Sequence, residues 1–177
     1  MGFLPMRTQA NWKQTLPMRK VVSNTTPILS LLRIGKLDVL RHLYGKVMIP
    51  QAVYREIEAG NDKDYYADVG NLDWIKITPV QSPFVRPYLF DLDDGEAETI
   101  MLAREQEADL AIIDEKLGRR YAVQLNIPIT GTIGILLKAK EQGLITSVGP
   151  LLLELRDKSS WINDTLLKNA LRIANEL

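Results

Sequence analysis

The chain has no cysteine, and only one of its 177 residues is a histidine, His42. The first absence excludes disulfides, thiolate zinc sites and a cysteine nucleophile. The second excludes a metal centre built from several imidazoles. An excess of one charge is also missing. The 22 basic and 22 acidic side chains cancel, so there is no global basic field, and a nucleic-acid ligand would need a local patch. No apolar run approaches the roughly 18 residues of a membrane span, and residues 1–19 lack the apolar centre of a signal peptide. The expected setting is cytoplasmic, without a membrane partner. There is no GxxxxGK[ST] phosphate loop and no GxSxG elbow. Gly131-Thr132-Ile133-Gly134 is a lone GxxG, too weak to mark a dinucleotide site.

The rest of the composition suits a globular chain, at 46% hydrophobic and 25% charged, and the length suits one domain with one core. Residues 1–19 read as a flexible extension, and 1–17 as candidates for sequence upstream of the native start. The ordered pattern begins at Lys20-Val21-Val22. Val21–Ser23, Val47–Ile49, Trp74–Ile77, Leu110–Ile113 and Ile127–Ile129 read as short strands. Helices are expected after each, over Asn24 to about Gly35, Leu37–Tyr44, Gln51–Ala59, Glu96–Gln106, the stretch through Tyr121-Ala122, and Thr132–Gln142. Residues 61–73 read as a polar helix or a loop, Pro79–Pro87 as a linker, and Val148–Lys158 and Asn163–Glu176 as terminal helices. Strands alternating with helices imply βαβ units and a parallel sheet covered on both faces.

Several acidic or amide side chains follow apolar runs or open helices: Asn24, Glu56, Asp93, Asp94, Glu96, Glu98 and Asp114-Glu115. Singly, each has a plain structural role. Asn24 and Asp114 suit helix N-caps, Asp93, Asp94 and Glu96 suit the positive end of a helix dipole, and Glu56 suits a solvated helix face. Together they carry more weight. Strands of one parallel sheet discharge at the same edge, where ligands bind, and carboxylates crowded there repel unless a cation sits between them. An all-oxygen set without histidine or cysteine suits a hard cation such as Mg²⁺. His42 reads as a surface helix residue, and Trp74 and Trp161 as core or interface. Lys116, Arg119 and Arg120 form a solvated face or, beside that edge, a phosphate contact.

Five stretches, in order, resemble the PIN-domain nucleases: Ser23-Asn24-Thr25-Thr26-Pro27-Ile28, Ile49-Pro50-Gln51-Ala52-Val53-Tyr54-Arg55-Glu56, Asp94-Gly95-Glu96-Ala97-Glu98, Ile112-Ile113-Asp114-Glu115 with Gly118-Arg119-Arg120, and Ile129-Thr130-Gly131-Thr132-Ile133-Gly134. The branch most resembled is that of prokaryotic VapC-like toxins. The resemblance implies a three-layer α/β/α sandwich with a central parallel sheet, over residues 20–157. A C-terminal helix in 158–177 would then pack on that domain or on a partner. It also implies Mg²⁺ or Mn²⁺, single-stranded RNA as substrate and a small antitoxin protein as partner. Carried over by position, the four acidic places fall on Asn24, Glu56, Glu96 and Asp114, with Glu98 a lesser metal ligand. Thr25, Lys116, Arg119, Arg120, Thr130 and Thr132 are the expected substrate contacts, and either of the last two threonines could orient water. Asn24 departs from the family, which has Asp there, so weakened metal binding and activity are expected.

Two alternatives stand beside this reading. One is a PIN-fold module without chemistry that holds RNA or an antitoxin. The other is an unrelated doubly wound enzyme, such as a phosphatase with Asp114 as nucleophile, against which the lack of a DxD pair counts. A homodimer is also expected, with Leu31, Leu32, Ile34, Leu37 and Leu40 partly at its interface.

Overall fold

The computed structural model describes residues 18–82, 89–159 and 161–177. The expected extension over 1–17 and residues 83–87 of the expected linker lie outside the described residues. β1 (Val21–Ser23) leads into α1 (Thr25–Arg33) and α2 (Asp38–Tyr44), then β2 (Val47–Pro50) and α3 (Gln51–Ala59). β3 (Ile75–Thr78), α4 (Asp94–Glu105), β4 (Leu110–Ile112), α5 (Lys116–Gln124) and β5 (Ile129–Thr130) follow, and α6 (Thr132–Glu141), α7 (Gly149–Lys158) and α8 (Asp164–Ile173) complete the chain. The sheet order is β3-β2-β1-β4-β5, and every pairing is parallel.

Side-chain alternation along the strands explains the layers. Val21, Val47, Ile49, Leu110 and Ile112 join one apolar cluster with α1, α2, α3, α6, α7 and α8. Val22, Ala111 and Ile113 join a second cluster with α4 and α5. Successive strand residues point to opposite faces, so a run such as Val21-Val22 buries one side chain on each. The result is the three-layer α/β/α sandwich. α8 packs on α6 and α7.

Three local outcomes refine the expectations. Residues 61–73 form turns and one 3₁₀ turn, Val69–Asn71, whose N-terminal amide at Gly70 donates to Asp68 at 3.0 Å. The last strand begins at Ile129 rather than Ile127, because Ile127 N–H donates back to Ala122 O at 2.9 Å. With Asn126 in the left-handed region at φ 56°, that bond closes α5 in a Schellman-type turn. The third outcome is a correction. Leu31, Ile34, Leu37 and Leu40 are buried within this chain, all in the larger cluster. Truncating a leucine of that kind costs about 2–5 kcal/mol, so these side chains are core and not a dimer surface. Leu32 is the partly exposed exception.

Candidate functional site

From β1 the chain winds outward to β2 and β3, then returns to lay β4 and β5 on the other side. The gap between β1 and β4 is therefore the switch point, where parallel sheets open a crevice beyond the carboxyl ends of the strands. Asn24 follows β1 directly, and its backbone N–H donates to Ile112 O at 3.0 Å. Asp114 and Glu115 follow β4.

Asn24 and Glu115 occupy equivalent places, the N-caps of α1 and α5, and neither side chain caps its helix. They meet each other instead: Asn24 Nδ2 donates to Glu115 Oε2 at 3.0 Å. The hydroxyl of Thr26 donates to the other Glu115 oxygen. Asn24 is 2% exposed, and its Oδ1 is buried without a hydrogen-bond partner among the described residues. A buried acceptor left unpaired costs about 1–3 kcal/mol.

Glu56, from the middle of α3, reaches the same edge. Its Oε2 accepts from the Thr25 hydroxyl and its Oε1 from Gly95 N–H at 2.9 Å. Glycine at 95 leaves room for this contact, since a Cβ there would stand 2.5 Å from both Glu56 oxygens. Glu96 is the third residue of α4 and closes a capping box. Asp93 Oδ1 accepts from Glu96 N–H at 2.7 Å, while Glu96 Oε2 accepts from Asp93 N–H at 3.3 Å. Burial pushes the Glu56 and Glu96 carboxyls above the ordinary range. For Glu96 the negative charges of Asp93, Glu115 and Glu56 push the same way.

Asn24, Glu56 and Glu96 meet at one edge through their shared neighbours, while Asp114 and Glu98 are engaged by other partners. Asp114 is held by Thr132, whose N–H donates to Oδ1 at 2.7 Å and whose hydroxyl donates to Oδ2 at 2.6 Å. Burial raises the Asp114 carboxyl, against the Thr132 hydrogen bonds and the Arg119 charge. Its visible work is to tie the end of β4 to the start of α6. Glu98 accepts from Ala52 N–H at 2.8 Å and lies 3.8 Å from Arg55, joining α4 to α3. Thr25 and Thr132 spend their hydroxyls on Glu56 and Asp114. Arg119 Nη1 donates to Ile113 O at 2.8 Å, whereas Lys116 and Arg120 are exposed. Thr130 lies under α6, its hydroxyl 2.3 Å from where a Gly134 Cβ would stand. His42 is exposed on α2, as read from the sequence.

Glu115 stands in the acidic set read from the sequence, but no ligand role is expected of it there. Its signal was position: like Asn24, it stands immediately before the first residue of a helix that follows an inner strand. The donor set is all oxygen and acidic, and it includes one orphaned buried acceptor, so its chemistry fits a hard divalent ion. Among the described residues, however, no three His, Cys, Asp or Glu side chains form a group able to hold an ion. Threonine hydroxyls, backbone amides and the Asn24 amide now take up the acids' oxygens, so binding an ion would require these partners to yield.

No curated protein matches the chain. A protein-family model described as a PIN domain, DUF3368, matches residues 20–176, which takes in the whole sheet and all the helices above. The chain belongs to the PIN-domain family.

Proposed function

We propose that this protein is a Mg²⁺- or Mn²⁺-dependent endoribonuclease of the VapC-like type, cutting single-stranded RNA, with its activity weakened by Asn24. The observation that supports it is the meeting of Asn24 with Glu115 at the switch point, flanked by Glu56 and Glu96. In this reading Glu115, Glu96 and Glu56 hold the ion together with the Asn24 amide oxygen. Asp114, named with them from the sequence, supports the edge from behind. When bound, a divalent ion supplies positive charge for the phosphodiester and acidifies water. The chain's own side chains do the remainder. Lys116, Arg119 and Arg120 hold the phosphate backbone, and the Thr25 hydroxyl and Gly95 N–H orient the Glu56 carboxylate. A small antitoxin protein and a homodimer complete the reading. A particle of 20.0 kDa in light scattering would count against the dimer.

One observation favours a second reading, a PIN-fold module without chemistry that binds RNA or an antitoxin. Both Glu115 oxygens already accept from the chain's own donors, Asn24 Nδ2 and the Thr26 hydroxyl. Cleavage of a single-stranded RNA in Mn²⁺, Mg²⁺ or EDTA, by wild type and Asn24→Asp, separates the two. Weak Mn²⁺-stimulated cleavage that rises in Asn24→Asp is expected. No cleavage by either protein would establish the module instead.

A further inference from the structure

Next to Glu115 the surface opens into a groove of about 660 Å³. Asp114 and Glu115 beyond β4, Lys116 and Arg119 on α5 and Thr130 on β5 line it. Ile133 on α6, Leu166 on α8 and Trp161 add apolar lining. Its volume falls within the about 300–1,000 Å³ of small-molecule sites. The groove is therefore mixed, with the Asp114 and Glu115 carboxylates, the Lys116 and Arg119 cations and apolar surface in one lining.

Two details point to an occupant. Lys116 is exposed and makes no hydrogen bond or ion pair among the described residues, so its ammonium is free to meet an anion. Trp161 lines the groove, yet its indole Nε1 is shut away from solvent and unpaired among the described residues. Trp161 thus has no N–H to offer a ligand, and its side chain packs in part on the larger apolar cluster. A free ammonium and an aromatic side chain lining one groove suit the two parts of a nucleotide, since phosphate meets Lys or Arg and every base has a π-face. The groove also begins at Glu115, so one strand can cross the acidic edge and enter it.

We propose that this groove seats one nucleotide of single-stranded RNA, its base against Trp161 and its phosphate beside Lys116, adjoining the phosphodiester that lies over Asn24 and Glu115. This rests on the ribonuclease reading and adds to it the place where the strand is gripped. The grip is independent of metal, because neither Lys116 nor Trp161 belongs to the acidic set.

The test uses the full chain in EDTA, with fluorescein-labelled seven-residue oligouridylate and an abasic ribose-phosphate strand of equal length, followed by anisotropy. Wild type is expected to bind the oligouridylate more tightly than the abasic strand. Trp161→Ala should weaken oligouridylate binding about tenfold and leave the abasic strand unchanged, while Trp161→Phe keeps most of the difference. Lys116→Ala, an exposed change that leaves folding alone, should weaken both strands and reduce the log–log salt slope by about 0.7. Equal binding of the two strands by wild type, or loss of both in Trp161→Ala with circular dichroism unchanged, overturns the proposal. Cleavage by Asn24→Asp that is indifferent to Trp161→Phe and Trp161→Ala overturns it too, and leaves the ribonuclease reading standing. Base-dependent binding with no cleavage by any variant overturns that reading and leaves the groove.

Discussion

Asn24 and Glu115 lie 91 positions apart in sequence, and each is an N-cap that leaves its own helix uncapped so that the two side chains can bond at 3.0 Å. The amide N–H stands where an aspartate at 24 would present a second carboxylate oxygen to Glu115. Asn24→Asp is therefore expected to act in two directions. Without divalent ions the facing carboxylates repel and the melting temperature falls. With Mn²⁺ the added charge lies beside the ion, and about 1.4 kcal/mol of extra attraction raises affinity tenfold. Calorimetric titration and thermal unfolding in EDTA check both halves. A melting temperature unchanged in EDTA would show that the two side chains do not face each other.

Glu115 and Asp114 are adjacent, but their substitutions should give opposite results. Glu115→Gln is expected to abolish Mn²⁺ binding while costing little stability, since a glutamine oxygen can still accept from Thr26. Asp114→Ala leaves the Thr132 N–H and hydroxyl without acceptors and should destabilise by about 1–3 kcal/mol. Denaturant unfolding and metal titration of both variants decide between the two acids. Metal binding lost in Asp114→Asn but kept in Glu115→Gln would return the ligand role to Asp114.

At Gly95 two effects oppose each other. Alanine improves helix propensity by up to about 1 kcal/mol, but its Cβ displaces the Glu56 carboxylate from Gly95 N–H and Thr25. Gly95→Ala should thus fold with near-normal stability and lose activity by up to about a hundredfold through misplacement of Glu56. The two losses are read by unfolding and by RNA cleavage in the Asn24→Asp background. Full activity there would remove Glu56 from the site.

The C-terminal end is held by Glu176, which accepts from Val148 N–H, Gly149 N–H and Lys140 Nζ. Burial pushes its carboxyl up, but the Lys140 ammonium and the two amides outweigh burial and leave it below the ordinary 4.5. A depressed folded-state value stabilises the protein above the unfolded pKa and loses that contribution as pH falls through the folded one. Glu176→Gln should therefore melt lower than wild type at pH 7, and the gap should close as pH drops below 4.5. A gap that stays constant down to pH 3 would mean that the charge of Glu176 contributes nothing.

The sequence by itself determined the elements and the layers. Runs such as Val21-Val22 and Ala111-Ile112, each followed by helical spacing, can bury both faces only in a covered parallel sheet, so the strands and helices were legible from periodicity. The places of Asn24 at a strand end and Glu96 at a helix start were legible too, whereas Glu56, in the middle of α3, reaches them only through its bonds to Thr25 and Gly95. Which way Asp114 and Glu115 each turn is visible only in the tertiary structure. A chain read in one dimension shows two consecutive acids at a strand end, whereas their directions depend on what packs opposite: Thr132 at the head of α6 captures the first, and Asn24 and Thr26 from β1 and α1 capture the second. The same holds for Leu31 and Leu40, whose helical spacing shows an apolar face but not whether that face covers a sheet or a partner. The folded core settled it, because the sheet face formed by Val21, Ile49 and Ile112 had to be covered from within the chain.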